Sequence, residues 1–455
     1  MKTAVIGAGI TGLTCAHRLH QQGHEVLVLE KGPKAGGAIG TVRRDGYTVE
    51  HGPNSLMLDA KDLEEYFEEL GLSDELVEGN PNARNRYILR DSKPVALPLS
   101  PLSLLTTGAF SLPGKLRILR EFFLPKLKDP ETLSVASFFQ QRFGKEAATY
   151  LVDPFISGIY AGDPKKLSVQ HAFPRLLKLE QEHGSVLQGL IRFKKDRAKD
   201  SKAVRRRLVN FRDGMERLPQ AILEKLRPEN LQTGIGFDEI TPQGNGWKLS
   251  WSHPNGSCTD TFNRLIVTVP AHALHKLPYP TGLLDTLAPL GNIPHPPLAC
   301  IALGYRRTQI LHPLDGFGIL VPAVEGKNLL GTIFASTLFP GRAPDGHVLL
   351  HCFLGGARNP AIGELNAKDI FELLGPELER ALGIHGPPVF LDFKRWERSI
   401  PQCNLAHGNA LQALDEAESR HTGLSFAGSY RNGVSVGQCI RAGWEAAQQV
   451  TADNS

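Results

Sequence analysis

The sequence predicts an α/β protein that opens on a strand–helix–strand unit. Three observations carry this expectation. A short apolar run, Ala4-Val5-Ile6, leads into Gly7-Ala8-Gly9-Ile10-Thr11-Gly12. A second apolar run, Glu25-Val26-Leu27-Val28-Leu29, lies one helix length further on. It closes on Glu30, eighteen residues past Gly12. Strand, glycine loop, helix, strand and acid in this order make a Rossmann-like dinucleotide-binding unit.

Each part has a physical reason. Gly7 permits the tight turn, Gly9 lets a pyrophosphate approach the backbone, and Gly12 lets the helix pack close to the strand. The helix N-terminus turns its partial positive charge toward the phosphates. Glu30 can accept hydrogen bonds from a ribose. The stretch Lys31 to Thr41 then carries the pair Gly36-Gly37, which brings a second length of backbone near the cofactor. That pair separates two-dinucleotide flavoproteins from plain NAD dehydrogenases.

Bulk properties narrow the class. A chain of 455 residues is too long for one core and implies two or three domains. Hydrophobic content of 41% and charged content of 22% describe a globular protein. A net charge of +4 is too mild to imply nucleic acid. The cysteines Cys15, Cys258, Cys300, Cys352, Cys403 and Cys439 form no CxxC pair, and their spacing fits neither a disulfide framework nor a zinc site. They read as buried small hydrophobes in a reducing compartment. No metal cluster, paired carboxylates or nucleophile triad stands out. The glycine motif starts at once and leaves no room for a cleavable leader, and no apolar run is long enough to span a bilayer. A cytoplasmic location is therefore expected.

Further along, residues 46–55 read as a strand and a tight turn, and 60–71 as a helix with Leu63, Tyr66, Phe67 and Leu70 on one face. Residues 97–126 are proline-broken and then alternate cationic with large apolar positions, the pattern of a membrane-surface helix or a greasy channel wall. Nine basic residues fall within 192–207 and read as a solvated, mobile loop. Residues 212–226 read as a helix. A strand follows over 231–240, then a hairpin through Gly244-Asn245-Gly246. Arg264 to Pro270 is a buried strand running into a helix. Residues 297–385 read as alternating strands and turns, and 423–440 as strand, glycine loop and helix.

Together these features resemble the flavin amine oxidase superfamily and, within it, the porphyrinogen oxidases. The most specific pieces are Asp153 to Ser168, Gly331 to Pro340, Trp396 to His407 with Ile400-Pro401-Gln402, and Gly433-Val434-Ser435-Val436 before Cys439-Ile440. The resemblance implies non-covalent FAD and a two-dinucleotide-binding FAD domain assembled from 1–90, 205–265 and 385–455. It also implies a helical membrane-associated or substrate-channel domain over 91–204 and a mixed-sheet substrate-binding domain over 266–384. By the motif, Gly7, Ala8, Gly9, Ile10, Thr11 and Gly12 take the pyrophosphate and Glu30 the adenosine ribose. Lys31, Gly37 and Ala38 fall along the cofactor, and Ala38 replaces a larger residue common there. Gly52, Pro53, Asn54 and Ser55 match the turn beside the flavin. Val434, Ser435 and Val436 match the stretch at its ring, Gly428 lies just before, and Trp396 is an aromatic near it. Phe237 stands where relatives place a branched aliphatic that serves the adenine through its backbone. For the substrate, Arg86 matches an arginine that pairs a propionate, Gly158 a glycine whose carbonyl accepts pyrrole N–H groups, and Phe317, Leu320 and Phe353 apolar residues that sandwich the macrocycle.

The implied reaction is oxidation of protoporphyrinogen IX to protoporphyrin IX in haem biosynthesis. It removes six electrons in three flavin cycles, with O2 reduced to H2O2. Flavin N5 carries the chemistry, so no catalytic side chain is nominated, although His51, His351 and His407 are available for proton transfer. Coproporphyrinogen III is the alternative substrate. An amine or carotenoid-type flavin oxidase and a non-catalytic flavin-bound scaffold are rival readings. The implied partners are the porphyrinogen and O2, with peripheral contact at the inner face of the cell membrane and a homodimer as further expectations.

Overall fold

Runs that are apolar at nearly every position become strands buried on both faces, and this explains the first layer. The computed structural model describes residues 1–98, 101–199, 204–253 and 256–452. Strands Lys2–Ile6, Glu25–Leu29, Leu231–Gln232, Arg264–Val267 and Leu424–Phe426 form a five-stranded sheet with Lys2–Ile6 at its centre. All its pairings are parallel, and Val5 stands in register with both Val28 and Ile266. Helices Ile10–Gln21 and Val436–Ala452 cover one face, so close that a Cβ on Gly443 would press on the Thr11 carbonyl. The other face packs on Trp247 and Trp251 of a three-stranded antiparallel sheet and on Leu414 of helix His407–Arg420.

A seven-stranded mixed sheet forms the second layer. Its order is Phe390–Trp396, Leu298–Arg306, His347–Gly355, Leu329–Phe334, Gly316–Leu320, Asn85–Arg90, Lys93–Ala96. Gly316–Leu320 and Asn85–Arg90 run parallel, and the other pairs are antiparallel. Strands Asn85–Arg90 and Phe390–Trp396, expected with the cofactor unit, hydrogen-bond into this sheet. The back of the sheet buries Ile301, Leu303, Ile319, Leu350 and Leu354 under helix Ala367–Leu382. That helix corrects the expectation of strands and turns over 297–385. Ile370, Leu374, Leu378 and Leu382 recur every four residues and face the sheet, and Asn366 caps the helix by accepting the N–H groups of Lys368 and Asp369. Pro376 inside it obscured the pattern.

Between these layers and solvent lies a helical segment that includes Leu112–Leu119, Val135–Phe143, Asp153–Tyr160, Pro174–His183 and Val186–Lys199. Val135, Phe138, Val152, Ile156 and Leu167 form its core. A buried triad fixes it, with Arg142 donating to Glu121 at 2.5 Å and to Glu180 at 3.2 Å. The loop expected at 192–207 is helical as far as Lys199 and a strand from Arg207, and residues 200–203 lie outside the described residues. Glu121 starts that helix, because its carboxylate accepts the N–H groups of Val186 (2.8 Å) and Leu187 (3.2 Å). Arg192, Lys194 and Lys195 then project from it into solvent.

Candidate functional site

The glycine loop is a cradle of backbone groups. Gly7 holds φ at +104°, a conformation a side chain would strain, and a Cβ on Gly12 would overlap the Gly7 carbonyl. Thr268 locks the loop from the neighbouring strand, donating its hydroxyl toward the carbonyls of Ile6 (3.1 Å) and Gly7 (3.0 Å). By contrast, a Cβ on Gly9 would meet nothing within 4 Å. The backbone is therefore open there, where helix Ile10–Gln21 begins with no acidic residue in its first turn. Glu30 accepts the N–H groups of Ala8 (2.7 Å) and Gly32 (2.6 Å), which hold its carboxylate at the loop. The second glycine pair lies against the first loop. The Gly36 N–H donates to the Ala8 carbonyl at 2.8 Å, and a Cβ on Gly37 would come within 2.9 Å of the Gly9 Cα. Lys31 is exposed beside it. An anionic pyrophosphate with its ribose fits this open, donor-rich cradle.

The turn from Gly52 through Pro53 and Asn54 to Ser55 is held by three long-range contacts. A Cβ on Gly52 would overlap the Ala38 carbonyl. The Trp396 indole N–H donates to the His51 carbonyl at 2.9 Å. Asn210 donates its side-chain amide to the Asn54 carbonyl at 2.9 Å and to Glu50 at 3.0 Å. Burial pushes the Glu50 carboxyl up from its ordinary value, against the hydrogen bonds it accepts from Thr41, Asn210 and the Met215 N–H. Gly428 follows strand Leu424–Phe426, and Val434-Ser435-Val436 leads into the last helix, where Ser435 donates to Gln438 at 2.7 Å. Close packing of that helix on Ile10–Gln21 brings the two ends of the chain together.

Phe237 sits elsewhere than the backbone beside Glu30. The Ile235 N–H meets the Glu30 carbonyl at 3.2 Å, whereas Phe237 lies two residues further on, paired with Trp251 in the hairpin.

Cross-strand pairs share a face of a sheet, so the register itself lays out a floor. One row reads Lys394, Cys300, Phe353, Gly331, Leu320, Ile88. The next reads Asp392, Ala302, His351, Ile333, Gly318, Arg86. Trp396 and Phe353 pack in one cluster with Leu298, Leu330 and Ala161. A bulge between Gly316 and Gly318 lets Phe317 sit with Ile333, and the Arg86 guanidinium lies 4.9 Å over the Phe317 ring. Arg86 has no carboxylate partner among the described residues. Helix Asp153–Tyr160 lies over the floor, with Gly158 so close to Leu320 that a Cβ would overlap its methyl group. At the end of this helix Ala161 turns left-handed, and the N–H groups of Ala161 and Gly162 both go to the Ile156 carbonyl. The Gly158 carbonyl is left without a partner among the described residues.

The available histidines differ in setting. His51 pairs with Asp392 at 2.6 Å, and that hydrogen bond holds the Asp392 carboxyl below its usual range. Burial lowers His351 to about 4, so it is neutral, and its Nε2 has no partner. His407 is also lowered to about 4 by burial and packs on His171. A small pocket lies among His51, His351, Cys300, Asp392 and Lys394, and Lys394 sits 4.8 Å over the Trp396 ring. Another pocket lies behind the sheet by Ile319 and Leu378, away from the expected residues. Of the cysteines, Cys258 departs from expectation by being exposed. Thr268, Asn210 and Glu50 had no sequence signal, since each is a lone polar residue whose partner lies far away in the chain.

A parallel sheet, a glycine loop with its acid and a second glycine pair define an oxidoreductase that holds a dinucleotide cofactor. Comparison with known proteins narrows the class. The family described as flavin containing amine oxidoreductase matches residues 10–451. Mitochondrial protoporphyrinogen oxidase of Nicotiana tabacum is 33% identical over 477 residues, covering 99% of this chain and 94% of that protein. Coproporphyrinogen III oxidase of Bacillus subtilis (strain 168) is 29% identical over 457 residues, covering 96% and 95%. The crystal structure of a protein from Exiguobacterium sp. 255-15 assigned as a protoporphyrinogen oxidase superposes with a TM-score of 0.83 at 21% identity, covering 99% of each chain. The chain belongs to the flavin-containing amine oxidoreductase family. It is an FAD-dependent oxidoreductase.

Proposed function

We propose that this chain oxidises protoporphyrinogen IX to protoporphyrin IX in haem biosynthesis. One observation carries the reading. Gly158, whose carbonyl has no partner among the described residues, packs on Leu320 at an apolar floor that includes Phe353, and Arg86, with no carboxylate partner among the described residues, lies one strand away. Strands are spaced by ~5 Å, so a propionate on a ring seated over Leu320 reaches Arg86. In this reading the Gly158 carbonyl accepts the pyrrole N–H groups, Leu320, Phe353 and Phe317 hold the ring, and Arg86 takes a propionate in bidentate fashion. The loop Gly7 to Gly12 binds the pyrophosphate and Glu30 the ribose. Lys31, Gly37 and Ala38 follow the cofactor, and Ile235 rather than Phe237 brings backbone to the adenine end. The Gly52 to Ser55 turn, Trp396, Gly428 and Val434 to Val436 enclose the ring system. Bound there, the flavin supplies the two-electron acceptor needed three times per macrocycle. O2 is the final oxidant.

Tobacco protoporphyrinogen oxidase, a similar plant protein, supports this substrate, and the Bacillus coproporphyrinogen III oxidase supports the more acidic alternative. The apolar side chains Leu320, Phe353 and Phe317 around Arg86 favour the substrate with fewer propionates. Side-by-side turnover of both porphyrinogens, read by porphyrin fluorescence with H2O2 in parallel, tests it. A clear preference for protoporphyrinogen IX is expected. The opposite preference replaces the substrate, and turnover of neither overturns the reading.

The same reading includes peripheral membrane contact and a homodimer. No helix among the described residues is long and apolar enough to cross a membrane. Leu112, Leu116, Leu119 and Phe123 are exposed along one helix and its 3₁₀ extension, and Leu190, Ile191 and Phe193 are exposed on the neighbouring basic helix. Such a surface suits the interface of an anionic bilayer.

A further inference from the structure

The Gly158 carbonyl is useful only if its helix is held at one height above the floor. Arg358, which carried no signal in the sequence, is built to do this. It follows the turn after strand His347–Gly355 and reaches under helix Asp153–Tyr160. One guanidinium nitrogen donates to the Val321 carbonyl at 2.9 Å, directly after the strand that carries Leu320. The other donates to the Ser157 hydroxyl at 2.7 Å and the Asp153 carboxylate at 3.1 Å, both on the helix that carries Gly158. Asp153 returns the contact by accepting the Ala323 N–H at 2.6 Å. A rigid planar fork thus ties the residue after Leu320 to the helix that carries Gly158. The far end of the helix is pinned separately. The Gln402 side chain donates to the Tyr160 carbonyl at 2.9 Å, and the Ala357 N–H donates to the Ala161 carbonyl at 2.8 Å.

We propose that Arg358 is a positioning residue for porphyrinogen binding: it sets the separation of Gly158 and Leu320, and so the aim of the free carbonyl at the substrate's pyrrole N–H groups. This rests on the porphyrinogen reading above. Arg358 touches neither substrate nor cofactor and acts through Ser157 and Asp153. A lysine in its place restores the charge beside Asp153 but cannot reach three acceptors in one plane.

The test compares the wild type with R358M, R358K and S157A. Three measurements are made: KM and kcat on protoporphyrinogen IX, the affinity of the FAD-loaded protein for protoporphyrin IX by tryptophan quenching, and the midpoint of thermal unfolding. R358M should raise KM and weaken porphyrin binding together by ~10-fold or more, with kcat changed far less, as expected when binding geometry rather than chemistry is lost. R358K should recover stability but only part of the affinity. S157A keeps the Arg358–Asp153 pair and should weaken porphyrin binding by ~3-fold, the loss of one hydrogen bond. R358M that binds porphyrin like the wild type, whatever its stability, overturns the proposal. Should R358M fail to fold, unchanged affinity in S157A overturns it equally. A wild type that neither binds porphyrin nor oxidises porphyrinogen sinks the reading beneath it, which separates the two failures.

Discussion

The nucleotide cradle and the floor of the mixed sheet are built on opposite principles. The cradle is backbone. Its donors are the N–H groups of adjacent residues, its acid stands 22 positions from the amide it accepts, and its selectivity lies in where a Cβ is absent. The floor is side chain. It takes every second residue of strands as far apart as Asn85–Arg90 and Phe390–Trp396, and its character depends on their register. A cradle of this kind tolerates changes of side chain but not of shape. A floor tolerates changes of shape within a strand but not a slip of one residue, which would exchange Phe353 for Cys352 and Leu320 for Ile319.

The largest expected effect breaks the turn beside the cradle. Gly52→Val places a branched side chain where even a Cβ overlaps the Ala38 carbonyl, and because the clash is with the Ala38–Ile39 backbone no rotamer relieves it. The purified variant should lose its yellow colour and bind added FAD over 100-fold more weakly, on the order of 3 kcal/mol or more. A variant that retains stoichiometric flavin removes the turn from the cofactor site.

The second is aimed at the floor alone. Arg86→Gln removes a guanidinium that has no carboxylate partner among the described residues while leaving the cradle intact. KM for protoporphyrinogen IX should rise by ~10- to 100-fold, the value of one charge-assisted bidentate contact, with flavin content and absorbance unchanged. Arg86→Lys should fall between the two, since a point charge cannot match the fork. An unchanged KM returns Arg86 to the protein surface.

The last effect is read in stability rather than in binding, and it reports on how closed the floor is. His351 titrates near 4 in the folded chain because burial disfavours its charge. Its ordinary value is about 6.5, so the unfolded chain takes up the proton first as pH falls. The stability owed to the neutral ring is complete above pH ~6.5 and is lost as pH drops toward 4, by about 1.4 kcal/mol per unit. His351→Phe should flatten the dependence of the urea midpoint on pH across that window by one proton's worth. Other histidines that burial lowers, His17, His272 and His407 among them, contribute to the remaining slope. An unaltered slope means that water reaches the floor at His351.

What could be read in advance follows the same division. The opening βαβ unit, Glu30, the face of helix Lys61–Glu69 and the strand–loop–helix at the end of the chain were all legible, because each is written in neighbours at fixed spacing. Helix Ala367–Leu382 was obscured by a proline in its middle. The helix Val186–Lys199 was missed because its starting signal, Glu121, lies more than sixty residues away.

By itself, then, the sequence determined the cofactor class, since a backbone cradle needs only glycines and an acid at set intervals. Tertiary structure alone decided that Trp396 braces the turn after His51 and that Asn210 holds the Asn54 carbonyl. It alone left the Gly158 carbonyl free and made Arg358 bridge two elements 164 positions apart. The physical reason is that a hydrogen bond between distant residues leaves no periodic trace in the chain. Its partners meet only when sheet register and helix packing have fixed the distance between them.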